Sequence, residues 1–419
     1  MKTIVTSIAA AGLFAALAMA QPPTYTVTDL GAVGPSGQPF VITNNGLVSG
    51  AAAFPDNTLR AVIWYKGRKL DIGAPGLRGP NSMAIGVNNW GQAVGEAQTS
   101  ALDPLGEDFC GFKALGLPST GTTCLPFLWQ YGVATPLPTL GGNNGVANQI
   151  DVRGDVAGMA ENATPDPACP APQVLQFKPV VWGHGGIREL PTYPGDPDGS
   201  AFAVNDNGQV AGASGECTAF NPISLVNLAP LHALLWQDGG VTDLGNLGGT
   251  GHGNGIEAVG LNNRGQVIGN SDLTGDTNFH AFLWTTETGM RDLGTLPGDA
   301  NSAANGINDA GEVVGVSLDA SFNPRAFLRQ SGVMTDLNTL IPAGSPLFLI
   351  TGCSINSRGE IIGIAVDSIG DLHGYLAIPS NLAAGSEASS PATQRLTGAP
   401  ALSGHDRQMF VPRLGDRGR

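Results

Sequence analysis

Hydrophobic residues in this chain fall in short runs, such as Ala61 to Trp64 and Ala281 to Trp284, separated by turns rich in Gly, Asn and Asp. Runs of that length bounded by turn residues predict strands rather than helices, and no stretch holds the heptad spacing of a long amphipathic helix. Around one kind of run a pattern returns seven times: an aliphatic residue, usually Asn, two variable residues, Gly, and a small apolar strand ending in Gly. The copies are Ile42 to Gly50, Val87 to Gly95, Ile150 to Gly158, Val204 to Gly212, Leu261 to Gly269, Ile307 to Gly315 and Ile355 to Gly363. Their central glycines (Gly46, Gly91, Gly154, Gly208, Gly265, Gly311, Gly359) stand 45 to 63 residues apart.

Each copy predicts four strands in constant order. The first ends in the Asn turn, and the second follows the turn. The third is an apolar run, at Ala61 to Trp64, Pro126 to Trp129, Pro179 to Trp182, Ala233 to Trp236, Ala281 to Trp284, Ala326 to Arg329 and Gly374 to Ala377. The fourth ends in Asp-Leu-Gly or a variant, as at Asp71 to Gly73, Asp243 to Gly245 and Asp292 to Gly294. Four short antiparallel strands in about 45 residues describe a propeller blade. The last copy lacks its fourth strand, and Tyr25 to Gly31 (YTVTDLG) stands near the N-terminus with no blade before it. The fold class is therefore all-β: a seven-bladed β-propeller of four-stranded blades, closed by residues 25–31 completing the C-terminal blade. An open β-solenoid or sandwich array has no reason to split a unit in this way.

These motifs are similar to those of the bacterial extracellular HAF-repeat family, whose name echoes His280-Ala281-Phe282, here followed by Leu283-Trp284. The resemblance runs through the Asp-Leu-Gly strand, the Gly-rich link and the Asn hairpin over residues 25 to 378, and it implies no activity, substrate or cofactor. Blades 2, 3, 4 and 6 depart from the motif, with Pro-Phe-Leu-Trp, Pro-Val-Val-Trp, Ala-Leu-Leu-Trp and Arg-Ala-Phe-Leu-Arg.

Composition agrees with one rigid strand-and-turn body: 61 Gly and 30 Pro in 419 residues, yet 42% hydrophobic content. Residues 1–20 read as a secretory signal, with Lys2, the apolar stretch Ile8 to Leu17, and Ala18-Met19-Ala20 before Gln21. The expectation is a secreted protein, extracellular or periplasmic, with a propeller over 21–379 and a disordered tail over 380–419. No later segment has the length of a membrane helix. The formal charge of −14 disfavours nucleic acid and suits a neutral or cationic partner. The partners expected are an extracellular glycan or protein, met by a monomer.

The five cysteines suit an oxidising compartment. Cys110 and Cys124 lie in one insertion, where a bridge would contribute about 3 kcal/mol in the chain-entropy model. Cys169 and Cys217 lie in adjacent insertions and would staple two blades, and Cys353 reads as a buried free thiol.

Most repeated residues have a structural reading. The hairpin asparagines (Asn88, Asn205, Asn262, Asn308, Asn356, with Thr43 and Asp151 as variants) suit the start of a type I turn. The tryptophans closing five third strands suit packing between blades with their N–H bonded. If the Asn strand is innermost, as in the NHL-type propellers this order is similar to, the second-to-third and fourth-to-first loops share one face. All length variation falls there, in Glu96 to Leu125, Ala160 to Lys178 and Ala213 to His232. Insertions gathered on one face of a repeat protein mark a face that binds. That rim carries Arg60, Lys178, His232, His280, Arg325 and His373 just before the third strands. Glu161, Glu216, Asp272, Asp319 and Asp367 end the second strands, so antiparallel pairing is expected to bring each acid near a base. Such pairs read first as structural and otherwise as a ligand-contacting ring. No catalytic motif or metal site is assigned. Calcium is a candidate cofactor only at Asp196-Pro197-Asp198 and Asp272 to Asn278, neither of which has the spacing of a known loop. The function expected is non-catalytic binding through the insertion-bearing face. The alternatives are a lyase or glycoside hydrolase acting on extracellular polysaccharide and a structural envelope module.

Overall fold

The computed structural model describes residues 24–32, 39–66, 68–73, 76–113, 115–118, 120–221 and 226–380. The expected signal peptide and the tail beyond Ser380 lie outside these residues. Seven antiparallel sheets of four strands form the molecule. From inner to outer strand, blade 1 is Pro39–Ile42, Leu47–Ala53, Leu59–Tyr65 and Arg68–Asp71; blade 2 is Arg78–Val87, Ala93–Leu102, Thr122–Gln130 and Val133–Pro136. Blade 3 is Gly141–Ile150, Val156–Pro165, Leu175–Gly183 and Gly186–Glu189, and blade 4 is Asp198–Val204, Val210–Asn221, Val226–Gln237 and Gly240–Asp243. Blade 5 is Ile256–Leu261, Val267–Asp272, Phe279–Thr285 and Gly289–Asp292; blade 6 is Asn301–Ile307, Val313–Leu318, Pro324–Gln330 and Val333–Asp336. Blade 7 joins Phe348–Ile355, Ile361–Val366 and Leu372–Pro379 to the N-terminal strand Tyr25–Ala32. The inner strands contact one another in cyclic order, and that of blade 7 returns to that of blade 1. The structure is a closed seven-bladed propeller.

Closure is a strand pairing. Tyr25 opposes Pro379, and Asp29 opposes Tyr375. The Tyr25 N–H bonds the Leu340 carbonyl, and the Ser380 N–H bonds that of Thr24. This joins the two ends of the sheet series and leaves no blade with a missing outer strand, which is the edge problem that propellers solve by closing.

Both glycines of the repeated motif have physical reasons. The central ones adopt φ of +73° to +87°, which a Cβ would strain. Six of the final ones, Gly95, Gly158, Gly212, Gly269, Gly315 and Gly363, pack so closely on the inner strand that a Cβ would run into the carbonyl of Met83, Val146, Ser200, Glu257, Ala303 or Thr351 respectively. Their Cα partners, such as Ala84 and Ala258, sit where the inner-strand register shifts by one residue. Such a bulge bends a strand and frees one residue from the ladder. Two of the freed residues tie blade to blade. Asn148 Nδ2 donates to Ser200 Oγ and the Ala201 carbonyl, and Asn305 Nδ2 to Thr351 Oγ1 and the Gly352 carbonyl.

The core lies between blades rather than at one centre. Phe127, Phe282, Phe327 and Tyr375 occupy the equivalent third-strand position, opposite the final glycine of the motif, and are fully buried. Two of the five third-strand tryptophans bond their N–H as expected: Trp182 donates to the Pro138 carbonyl and Trp236 to that of Pro191, each in the link preceding its own blade's inner strand, while the indole N–H groups of Trp64, Trp129 and Trp284 have no partner among the described residues. Both disulfides form, with Cα separations of 5.5 Å for Cys110–Cys124 and 5.0 Å for Cys169–Cys217. Cys353 is free and half-buried, and burial pushes its thiol up to about 12.

Candidate functional site

The insertions face inward on one another. In blade 2 the segment between the second and third strands sends Phe109, Cys110, Phe112 and Leu115 into the same apolar cluster as Met83 and Val146 of inner strands and Phe177 and Leu228 of blades 3 and 4. Phe40, Ile85 and Phe202, also on inner strands, pack against that cluster. Glu107 is buried and accepts the N–H groups of Val174 and Leu175 and the Gln173 amide, while Asn227 of blade 4 donates to Gln173 Oε1. With the Cys169–Cys217 bridge, the three insertions form one knitted cap.

That cap holds several acids away from water. Burial raises Glu161, and the neighbouring Glu107 carboxylate raises it further; Glu107 is itself raised by burial. Burial pushes Asp198 up to about 7, and the Asp166 carboxyl within hydrogen-bond reach adds to this. The Oδ2 atoms of Asp166 and Asp198 are buried and have no hydrogen-bond partner among the described residues. Glu96 is driven well above its ordinary range by burial and lies 3.5 Å from the disulfide sulfur of Cys124.

The rim charges do not pair as expected from strand order. Arg60 bonds Asp71 at 3.1 Å and also Asp56. His280 bonds Asp292 at 2.9 Å, Arg325 bonds Asp299 at 2.7 Å and Asp336 at 3.2 Å, and His373 bonds Asp29 at 2.9 Å. His232 bonds Asp196 at 2.8 Å and stacks on Tyr193, and Lys178 donates to the Pro197 carbonyl. The recurrent partner is thus the aspartate of the outer strand. The register explains it: Arg60, His280, Arg325 and His373 each stand two residues before the third-strand residue that opposes that aspartate, on the same sheet face.

The second-strand acids are mostly turned away. Glu161 and Asp272 oppose Phe177 and Phe279, one residue beyond the partner of the base, and alternation puts them on the other face. Glu161 accepts the N–H groups of Asn143 and Asn144, and Asp272 those of Gly253, Asn254 and Gly255. Asp319 and Asp367 cap their own turns through Ser321, Asn323, Ile369 and Asp371. Only Asp367 also reaches its base, at 3.7 Å from His373 Nε2. Glu216 is exposed.

A cavity of about 180 Å³ opens instead on the opposite face, at the mouth of the central channel. The Asn hairpins of all seven blades line it. Two belts of hydrogen bonds build this mouth. In the inner belt the hairpin asparagine of one blade donates from Nδ2 to the equivalent carbonyl of the next: Asn205 to Asn262, Asn262 to Asn308, Asn308 to Asn356, Asn356 to Thr43 and Asn88 to Asp151, all at 2.9 or 3.0 Å. The same asparagines cap their own turns, as Asn88 Oδ1 does for the N–H groups of Trp90 and Gln92. The inner belt lapses where Thr43 and Asp151 offer no amide.

The outer belt uses the next residue. Its backbone N–H donates to the side-chain oxygen of the equivalent residue one blade on: Asn44 to Asn89, Val152 to Asp206, Asp206 to Asn263, Asn263 to Asp309 and Ser357 to Asn44, at 2.8 to 3.2 Å. Two links are missing. Val152 has no side-chain oxygen to offer Asn89, and Ser357 does not reach Asp309. The Asn89 and Asp309 N–H groups have no partner among the described residues. Beside the first gap stands Trp90, 75% exposed, its indole N–H fixed on the Val152 carbonyl at 3.0 Å. Sequence reading assigned the hairpin asparagines to turn formation and passed over Trp90; the signal available was an aromatic residue at a turn position where the other copies carry Asn, Arg or Ala.

No family model matches the chain, and no curated protein does. Among solved structures it is similar to a chain of the mitotic checkpoint complex at 11% identity and a TM-score of 0.44, over 90% of this chain and 98% of that one. It is similar to the acylaminoacyl peptidase of Pyrococcus horikoshii at 10% identity and 0.46, over 83% of this chain and 52% of that one. It is similar to the sialidase of Trypanosoma rangeli at 9% identity and 0.39, over 85% and 58%. At such scores none of these bears on the chemistry of this chain.

Proposed function

We propose that this chain is a secreted, non-catalytic binding propeller of the HAF-repeat type whose ligand enters the channel mouth on the hairpin face. One observation carries this reading: the cavity to which all seven blades contribute lies there, lined by polar hairpin residues. At about 180 Å³ it is smaller than the usual small-molecule site and suits one unit or one end of a ligand rather than the whole of it. The insertion face offers less, because its acids and bases are engaged with one another or with backbone. Two disulfides support an oxidising compartment, and among the described residues no helix is long and apolar enough to cross a membrane.

A glycan-array and polysaccharide-degradation screen of the full chain, with and without EDTA, tests this. Binding without product is expected. The double variant Asp206→Ala with Asn263→Ala should weaken it, and the triple variant replacing His232, His280 and His373 by Ala should leave it unchanged. Product formation, or loss of binding only in the histidine variant, would return the function to the insertion face.

A further inference from the structure

We propose that the gap in the outer belt between blades 2 and 3 is an oligosaccharide subsite, in which one sugar ring lies on Trp90 and fills the hydrogen bond that Val152 leaves open. This rests on the channel-mouth reading and names its ligand. The belt sets the expectation against which the gap stands out. At five of seven seams an Asn or Asp oxygen accepts the neighbouring hairpin N–H, so the Asn89 N–H at the sixth points at a position the fold is built to fill. Val152 presents isopropyl carbon there and is 37% exposed.

The aromatic ring is held for use. A large indole left 75% exposed on a rigid turn forgoes burial, and its one polar atom is already engaged by Val152, so both broad faces remain apolar and fixed in orientation. A sugar ring has the matching character: an apolar C–H face to lie on the indole and hydroxyl groups at its edge that accept and donate. The lining supplies the rest. Asn89 adds its side-chain NH2 and Asp206 its carboxylate, whose oxygens accept the Val152 N–H and the Asn263 amide and keep further lone pairs, and the second gap leaves the Asp309 N–H and Ser357 across the mouth for further hydroxyls. Arg153 beside the gap is held by Asp151 at 2.9 Å and Asp155 at 3.1 Å, so it adds no free cation and an uncharged sugar is favoured. A peptide partner would call for an apolar core with anchoring pockets, which this small polar mouth lacks.

The test uses the full-length chain with hexasaccharides of glucose, N-acetylglucosamine, mannose and galactose, read by isothermal titration and by quenching of tryptophan emission. Binding by at least one is expected, with Trp90→Ala weakening it about tenfold or more and Trp90→Phe weakening it less. The decisive variant is Val152→Asn, which leaves Trp90 in place and supplies the missing acceptor. It should weaken binding about tenfold while keeping or raising the melting temperature. Binding that survives both Trp90→Ala and Val152→Asn but falls with Asp206→Ala and Asn263→Ala overturns the subsite and leaves the mouth. Binding indifferent to all of them overturns both readings. A folded chain that binds none of the four sugars overturns the oligosaccharide assignment, and a peptide ligand lost with Asp206→Ala would then identify the mouth as a protein site.

Discussion

A hairpin asparagine in this propeller does two tasks with one amide. Asn262 Oδ1 accepts the N–H groups of Arg264 and Gln266, while Nδ2 donates across the seam to the Asn308 carbonyl. Replacing it by Ala strands a buried carbonyl and two turn donors, and Asn262→Ala should cost about 1–3 kcal/mol, measured by chemical denaturation. Asn262→Asp is the sharper comparison, because it keeps the turn cap and removes only the bonds that Nδ2 donates, to the Asn308 carbonyl across the seam and to Gln266 Oε1. At the same scale sits Glu257 on the inner strand of blade 5, pushed up to about 7 by burial alone. Between its ordinary 4.5 and about 7 the folded chain holds this proton and the unfolded chain has released it, so this group's contribution to stability is complete at low pH and is lost as pH rises. The melting temperature should therefore fall from pH 5 to pH 7.5, and by less in Glu257→Gln; equal slopes would contradict the assignment.

The elements most dependent on context are the three insertions. Their acids are held by buried amides rather than by cations, so ionisation works against the cap. Glu107, Glu161 and Asp198 are all raised by burial. The cap should loosen as pH climbs above neutral, seen as faster proteolysis within residues 103–121 at pH 9 than at pH 6. Glu161→Gln should flatten that dependence. The Cys169–Cys217 bridge spans 48 residues and contributes about 4 kcal/mol in the chain-entropy model. Replacing both cysteines by Ser should lower stability toward that amount while leaving sugar binding at the opposite face intact, which titration would check.

At the scale of the whole molecule, closure decides stability, because no blade has a core of its own and each buries its apolar face against the next. Removing residues 24–32 would expose the edge of Leu372–Pro379 and unpair its ladder with the N-terminal strand. The truncated chain should elute as higher oligomers on size exclusion, since an open edge seeks another strand. Both the blade count and this closure were legible in the sequence. They rest on strand alternation, on glycines required by positive φ or close packing, and on YTVTDLG at Tyr25 supplying the strand that blade 7 lacks. These are local requirements, and local sequence records them. The partners of the rim charges were not legible, because they depend on register: one residue turns Glu161 and Asp272 away from Lys178 and His280, while the outer-strand aspartates come diagonally into reach. The channel mouth was hidden for a related reason. Asn44, Asn89, Val152, Asp206, Asn263, Asp309 and Ser357 read singly as turn residues, and only the ring brings them into one belt in which an absent oxygen at Val152 becomes a feature. The sequence by itself determined the repeating unit, its number and the way the ring shuts, because backbone conformation and strand pairing are set by neighbours along the chain. The tertiary structure alone decided which polar groups are spent on the fold and which remain for a ligand, because that depends on atoms brought together from blades some fifty residues apart.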